Sequence, residues 1–339
     1  MRKLRIVTIL IILFSTGLFS KDRLTNVGTT AAPFLEVGVG SRAIGMGGAF
    51  VGIANDVSSL YWNPAGLGVM TKGETVFEKV DWLAGISFNY FGAAVPLSGY
   101  GTLGFFINSM TMSTMKVRTV QYPDGTGEDF DASSFAVGLS YGKNLTDRFS
   151  IGFNVKYIRE SLWHEGSSSF AFDVGTLYQT GIKGLRIGAA ITNYGPDMKL
   201  DGSDLIIYYD PDPLIDGNND KIMGKLLTEK WPLPLNMQFG IGYDICDTKY
   251  LRVTTAIDAF HPINNTESIN IGCEIAIVKM LFLRSGYKAL GQQDTEEGLT
   301  LGGGINYRLF GQSNIKLDYA YTDFGRLKST NRFTLRLDF

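Results

Sequence analysis

Apolar and polar side chains alternate one by one along most of this chain. Near the carboxyl end, one face carries Phe333, Leu335, Leu337 and Phe339, and the other carries Arg332, Thr334, Arg336 and Asp338. A period of two predicts strands with one buried face. The alternating stretches run for about nine or ten residues, the length that a tilted strand needs to cross a membrane. Strands of soluble sandwiches are usually shorter, about five or six residues.

Fourteen such strands can be counted. We predict them at about residues 74–81, 85–95, 101–111, 133–142, 149–160, 169–179, 185–194, 235–244, 250–260, 267–276, 281–287, 298–309, 313–321 and 331–339. The fold class is therefore all-β, a 14-stranded antiparallel transmembrane β-barrel. Connections after even-numbered strands are short. Those after strands 3, 5, 7, 11 and 13 are long, up to residues 195–234, whereas the turn after the first strand is short.

The lengths of these connections predict an orientation. Outer-membrane barrels keep their periplasmic turns short and their outer loops long. An even strand count places both ends of the barrel on the same side. We therefore expect both termini in the periplasm and the loop 195–234 on the cell surface.

The first twenty residues have the pattern of a targeting sequence. Arg2, Lys3 and Arg5 precede an apolar run over 6–14, and small residues follow at Ser15, Gly17 and Ser20. This pattern is typical of a secretory signal peptide, and the run is too short to span a bilayer as a helix. We predict a signal peptide over 1–20, an N-terminal hatch or plug segment over 21–73 and the barrel over 74–339.

Composition excludes several classes of function. The formal net charge is −2 and the basic residues form no cluster, which argues against a nucleic-acid partner. Two cysteines and two histidines leave little for a structural zinc site. The sequence has no nucleophile elbow, no phosphate-binding loop and no paired catalytic carboxylates. We expect no enzymatic activity and no organic cofactor.

Charged residues fall on the polar phase of the predicted strands. They are Lys156, Asp173, Arg186, Arg252, Asp258, Arg308, Lys316, Asp318, Arg332, Arg336 and Asp338. On a lipid-facing surface each would cost about 2–4 kcal/mol near the midplane, so we expect them to face the lumen. They could line a selective channel or pair with one another around a filled lumen. The mixed signs favour the paired network.

Residues 38–67 carry the densest motif. It contains Arg42-Ala-Ile-Gly45-Met-Gly47-Gly48-Ala, then Asn55-Asp56, then Tyr61-Trp62-Asn63-Pro64-Ala65-Gly66-Leu67. With Asn89–Pro96, Phe172–Thr176 and Leu317–Gly325, this ordered set closely resembles the PorV/PorQ family of outer-membrane proteins. It also resembles the N-terminal hatch of the FadL-type fatty-acid transporters. The resemblance covers most of residues 34–339 and implies a fourteen-stranded barrel with an N-terminal plug.

The motif also has a local physical explanation. Asp56 is a good N-cap for a short helical turn over Val57–Tyr61, and Pro64 should hold Asn63 extended and end that turn. Glycines allow close backbone packing inside a barrel. We therefore predict a hatch motif made of Arg42, Gly45, Gly47, Gly48, Asp56, Trp62, Asn63, Pro64, Ala65 and Gly66. The plug could shift to open a path, or it could be a static element needed for folding.

A second, weaker cluster lies in the long loop 195–234. Asp212, Asp216, Asn218 and Asp220 offer oxygen ligands of the kind that Ca²⁺ takes. An EF-hand counted from Asp216 would need Gly and Glu where Lys221 and Leu227 stand. The cluster is therefore either a calcium site or a solvated acidic loop.

Two functions follow from the resemblance. PorV-like proteins act in type IX secretion, where they receive secreted cargo with C-terminal sorting domains and pass it to a surface attachment complex. On this interpretation the partners are outer-membrane lipid, the cargo and other secretion components, and the outer loops contact the cargo. The alternative is a FadL-like passage for hydrophobic small molecules, with the hatch as its gate.

Overall fold

Fourteen long strands form one antiparallel sheet in the part of the chain that the structure describes. The structure is a computed structural model, and it describes residues 26–212, 214, 221–292, 295–308 and 313–339. The strands are β1 (Glu74–Asp81), β2 (Ser87–Leu97), β3 (Gly101–Thr111), β4 (Ala132–Thr146), β5 (Phe149–Leu162), β6 (Glu165–Gln179), β7 (Leu185–Tyr194), β8 (Asn236–Asp247), β9 (Leu251–Pro262), β10 (Ser268–Ile277), β11 (Leu281–Leu290), β12 (Leu299–Arg308), β13 (Asn314–Asp323) and β14 (Ser329–Asp338). The predicted strand count is confirmed. The predicted signal peptide lies outside the described residues.

The sheet closes on itself. Each strand pairs with its neighbours in sequence, and β1 pairs with β14 from Glu74↔Asp338 to Val80↔Arg332. The β6–β7 pairing completes the ring. Closure leaves the long strands without a free edge, as a membrane-spanning sheet requires. The long connections lie at one end of the barrel, here called the long-loop end. The start of β1 and the carboxyl terminus lie at the other, the short-turn end, whereas Ala31 at the start of the N-terminal segment lies at the long-loop end, where its N–H donates to the carbonyl oxygen of Pro232.

Strand ends differ from the predicted ones by a few residues, for local reasons. β2 begins at Ser87 rather than 85, because Ala84 and Gly85 both take positive φ angles, 58° and 75°, in a tight turn. β6 begins at Glu165 rather than 169. Ser167 and Ser169 already face inward there, before the apolar alternation begins at Phe170.

The N-terminal segment, residues 26–73, contains only short helical elements. They are a 3₁₀ turn (Pro33–Glu36), α1 (Ser41–Ile44), α2 (Ser59–Trp62) and a second 3₁₀ turn (Pro64–Val69). No helix among the described residues is long and apolar enough to cross a membrane. Nearly all side chains between 37 and 67 are buried, and Leu60 packs with Val76 and Phe88 of the barrel wall. The inner face of the barrel is therefore the surface that this segment covers.

The 195–235 segment joins β7 to β8 at the long-loop end. Its short strand Asp201–Gly202 pairs with the start of β6, and Ile206–Tyr209 pairs with Ile222–Lys225 as a separate hairpin. Leu233 is buried beside Phe34 of the N-terminal segment. The segment is thus attached to the barrel at its two ends, while the hairpin lies away from the sheet.

Candidate functional site: the contact between the N-terminal segment and the barrel wall

Six buried charges of alternating sign form a closed ring inside the barrel. Two belong to the N-terminal segment and four to the wall; in order they are Arg42, Asp56, Arg336, Asp318, Arg284 and Glu274. Consecutive members lie 2.6–3.0 Å apart, nitrogen to oxygen. We call this arrangement the charge ring. It ties α1 and the loop before α2 to strands β10, β11, β13 and β14.

The charge ring continues into a wider network toward the short-turn end. Arg252 pairs with Glu274 at 2.9 Å, and Arg336 also approaches Glu74 at 3.7 Å. Lys316 bridges Glu74 and Asp338 at 2.9 and 2.8 Å. The prediction that inward-facing charges pair with one another is thus confirmed on strands β1, β9, β10, β13 and β14.

The charges of the ring hold each other ionised. Burial by itself would raise the pKa of Asp56, but Arg336 and Arg42 outweigh it and keep this pKa below its ordinary value. Burial would lower the pKa of Arg42, whereas Glu274 and Asp56 raise it above its ordinary value. Removing one partner of such a buried pair costs about 3–5 kcal/mol, because the remaining charge is left without compensation.

The wall also binds the backbone of the N-terminal segment. Asp258 on β9 has no cationic partner among the described residues; instead it accepts hydrogen bonds from the backbone N–H groups of Phe50 and Val51, at 2.7 and 2.8 Å. Glu78 on β1 accepts one from the backbone N–H of Gly40 at 2.6 Å. These carboxylates satisfy buried backbone donors of the segment that have no backbone acceptor among the described residues.

Other inward charges have local partners. Lys156 pairs with Asp173 at 2.7 Å, Arg186 with Asp244 at 2.9 Å and Arg332 with Glu78 at 3.4 Å. Arg308 is not buried like these charges; it lies at the short-turn end of β12 and is exposed. Paired, buried charges of both signs do not make the lining of an open channel.

Glycines occupy the wall at many of the points where the backbone of the N-terminal segment approaches it. Those on the wall are Gly142, Gly152, Gly175, Gly188, Gly240, Gly272, Gly286 and Gly302. On the segment, a Cβ built on Gly47 would lie 2.8 Å from the carbonyl oxygen of Ile271, and φ at Gly47 is +69°. A Cβ on Gly45 would lie 3.0 Å from Cα of Gly302. Any larger side chain at these positions would push the segment off the wall.

The Asn63-Pro64 turn is held by side-chain hydrogen bonds. Asn63 is extended, with φ −161° and ψ 101°, and it ends α2 as the sequence predicted. Its Nδ2 donates to the carbonyl oxygens of Val51 and Thr176 at 2.9 and 3.0 Å, and its Oδ1 accepts from the N–H of Ala65 at 3.1 Å. One amide therefore joins two turns of the segment to strand β6.

The remaining motif residues support the same contact. Trp62 donates from Nε1 to the carbonyl oxygen of Val39 at 2.7 Å, and a Cβ on Gly66 would lie 2.7 Å from the carbonyl oxygen of Ala54. Gly48, with φ +76°, packs under the Trp62 ring. The prediction that Asp56 caps α2 is wrong: the helix begins at Ser59, two residues later than predicted, and its N-cap is Ser58. Oδ1 of Asp56 instead accepts from the N–H of Ser58 at 3.0 Å, in the turn before the helix.

Two groups of residues were not recognised from the sequence. Glu274, Arg284, Glu74 and Glu78 face inward on the same phase as the recognised charges, so the alternation itself could have identified them. The glycines of the wall lie on that phase too. Only their contacts with the segment show that they form one surface.

The predicted calcium ligands fall mostly outside the described residues, which leave out Asp216, Asn218 and Asp220. Asp212 donates its N–H to Oδ1 of Asp210 at 3.0 Å in a local turn. Within the ranges that the structure describes, no three His, Cys, Asp or Glu side chains come together as a metal site. The calcium site stays a prediction.

The hairpin of the 195–235 segment exposes apolar side chains. Tyr208 is 69% and Met223 is 67% exposed, and the two lie directly opposite each other. Ile206, Tyr209 and Leu227 are exposed as well. Exposed apolar clusters of this kind mark surfaces that bind other molecules.

A closed fourteen-stranded antiparallel barrel with paired, buried charges on its inner face defines a class, the outer-membrane β-barrels. A protein-family model described as "Type IX secretion system protein PorV" matches residues 20–224, more than half of the 339-residue chain. The chain belongs to the PorV family. A comparison with curated proteins finds no match.

Solved structures share the fold. The Ralstonia pickettii toluene transporter TbuX aligns with a TM-score of 0.57 at 14% identity, covering 89% of this chain and 97% of that one. A Pseudomonas aeruginosa FadL homologue aligns at 0.51 and 12% identity, covering 87% and 96%. The Pseudomonas putida toluene transporter TodX aligns at 0.52 and 13% identity, covering 89% and 97%. At these identities the likeness concerns the fold alone.

Proposed function

We propose that this chain is an outer-membrane component of type IX secretion that receives secreted proteins with C-terminal sorting domains and passes them to a surface attachment complex. The observation that carries the proposal is the PorV family match over residues 20–224. The family matched and the related folds are secretion and transport barrels rather than enzymes.

The geometry supports a role in protein contact rather than protein passage. Residues 37–67, the proposed hatch, cover the inner wall through the charge ring and the glycine contacts. A protein client would therefore meet this chain at its loops. The exposed hairpin with Tyr208 and Met223 is the surface best suited to that contact.

In the orientation that this function needs, the start of β1 and the carboxyl terminus face the periplasm and the 195–235 segment lies on the cell surface. We would replace Cys246 and Cys273, both free, by serine, and then introduce Ser203→Cys or Thr146→Cys. A membrane-impermeant thiol reagent on intact cells should label the first variant and leave the second unlabelled. The reverse pattern would invert the topology.

The test of the function is a double substitution in the hairpin, Tyr208→Ser with Met223→Ser. It should reduce co-purification of sorting-domain cargo by at least tenfold and leave the barrel folded, because both side chains are exposed. Tyr100→Ser is the matched control, since Tyr100 is 76% exposed at the short-turn end. Unchanged cargo binding in the double variant would exclude the hairpin as the cargo-binding surface. Absence of cargo from wild-type preparations would exclude the proposed role in secretion.

A second candidate function, the passage of hydrophobic small molecules, is favoured by two cavities. One of about 340 Å³ lies at the long-loop end and is lined by Phe34, Ile44, Trp82 and Phe324. One of about 700 Å³ lies at the short-turn end, against Asn55 and Val69. The N-terminal segment separates them and would have to move. Faster uptake of a hydrophobic compound through the wild-type protein than through a barrel-free control vesicle would favour this function.

A further inference from the structure

A depression of about 1000 Å³ lies on the outward face of the barrel. It crosses seven neighbouring strands, from β3 through β2, β1, β14, β13 and β12 to β11. Two consecutive rungs of outward-facing side chains line it. The rung nearer the short-turn end is apolar throughout and includes Phe77, Phe91, Leu317 and Ile305.

The indentation has a cause on the inner side of the wall. α1 packs against β12, β13 and β14, and Cα of Gly45 lies close to Gly302 of β12. The charge ring joins the same strands to the N-terminal segment through Asp318 and Arg336. Contacts without intervening side chains let this part of the wall approach the segment, so its outer face is concave.

The rung nearer the long-loop end is polar on three adjacent strands. Ser109, Asn89 and Lys79 lie directly opposite one another on β3, β2 and β1. On the other side of Lys79 the rung becomes apolar again at Phe333. Together, the hydroxyl, amide and ammonium groups present up to six donor hydrogens to one place.

Lys79 lacks an ion-pair partner within the described ranges of the chain, although Asp81 lies one rung closer to the long-loop end. A lysine on a lipid-facing strand costs up to about 2–4 kcal/mol, and less near the interface. An anion bound from outside would remove this cost. The order of the two rungs, polar toward the barrel end and apolar toward the middle, matches the order of headgroup and acyl chain in a lipid.

We propose that this depression is a binding site for a membrane lipid with a phosphate-containing, anionic headgroup. The phosphate oxygens accept hydrogen bonds from Lys79, Asn89 and Ser109, and an acyl chain lies along the apolar rung past Phe77 and Leu317. The proposal needs only a barrel in a bilayer and does not depend on the secretion function.

The first test compares two spin-labelled lipids with the purified full chain in phosphatidylcholine vesicles. Phosphatidylglycerol should associate about fivefold more strongly than phosphatidylcholine, the effect expected of one lysine near the membrane surface. Lys79→Gln should bring this ratio close to one. Lys143→Gln is the matched control, because Lys143 also faces outward but lies at the short-turn end of β4. No preference in the wild type, or an equal loss in both variants, would overturn the proposal.

The second test fills the depression. A Cβ on Gly303 would meet only the carbonyl oxygen of Phe282, at 3.9 Å, so Gly303→Phe should place its ring in the depression without displacing the wall. Fewer immobilised lipids per barrel, with unchanged heat-modifiable migration on gels, are expected. An unchanged number of immobilised lipids would overturn the proposal. Loss of a co-purifying membrane subunit with unchanged lipid selectivity would assign the depression to a protein instead.

Discussion

Two of the stretches that lie outside the strands of the barrel, the N-terminal segment and the 195–235 segment, differ in what covers their side chains. The N-terminal segment is buried against the wall by the charge ring, by glycine contacts and by the Asn63 amide. The 195–235 segment leaves Tyr208, Met223 and Leu227 uncovered. Because the apolar side chains of the first are covered by the barrel wall and those of the second are not, the second, unlike the first, has surface available for another protein.

The two segments also touch. The N–H of Ala31 donates to the carbonyl oxygen of Pro232 at 2.9 Å, and Phe34 and Leu233 share one apolar cluster. A change in one segment could therefore reach the other through this contact. The predictions below separate the attachment of the N-terminal segment from the function of the exposed one.

The largest effect is expected from Arg42→Met. It leaves Asp56 and Glu274 each without one cationic neighbour, at a cost of about 3–5 kcal/mol for a buried pair. Hydrogen exchange of backbone amides 38–66 should accelerate by at least a hundredfold, while the amides of the strands stay protected. Arg308→Met, at an exposed position, should change neither. Equal protection in both variants would mean that the charge ring does not hold the segment.

A second variant tests the steric part of the contact. Gly47→Ala places a methyl group 2.8 Å from the carbonyl oxygen of Ile271 at a φ of +69°, and should cost about 2–4 kcal/mol. The expected result is increased proteolysis within the N-terminal segment, with normal heat-modifiable migration of the barrel. Gly303→Ala, where space is open, is the control and should behave as wild type.

Asn63→Ala should have a smaller effect. It removes hydrogen bonds to Val51, Thr176 and Ala65, each worth about 0.5–1.5 kcal/mol net. We expect raised permeability of cells to small hydrophobic antibiotics, without unfolding of a barrel held by fourteen strands. If permeability is unchanged and cargo secretion fails instead, the turn serves partner binding and the gate hypothesis is wrong.

The smallest effect at neutral pH concerns Asp56. Its pKa is lowered in the folded chain, so its contribution to stability is complete above the unfolded value of about 4 and is lost as the pH falls below it. Exchange of amides 38–66 should therefore increase as the pH falls below about 4, after correction for intrinsic rates. Asp147→Asn, in an exposed turn, should leave this profile unchanged. Exchange that stays constant as the pH falls below about 4 would contradict this assignment.

The alternation along the chain was sufficient to predict the strands, because the period of two is a local property of each stretch. It also predicted which residues face inward: Asp318 and Arg336 were assigned to the lumen and are buried there, and Lys316 pairs with the inward-facing Glu74 and Asp338. The motif around Asn63-Pro64 was read correctly as a turn, since a residue before proline is restricted by its immediate neighbour.

The tertiary structure alone decided which inward residues meet. Arg42 and Glu274 lie 232 positions apart in the chain, and their pairing depends on where α1 rests inside a closed, tilted sheet. The sequence does not show why Gly286 and Gly302 are glycines. The structure does, because the backbone of the N-terminal segment lies directly against both. A strand pattern specifies the face of each side chain, whereas barrel closure and register set its distances to residues on other strands.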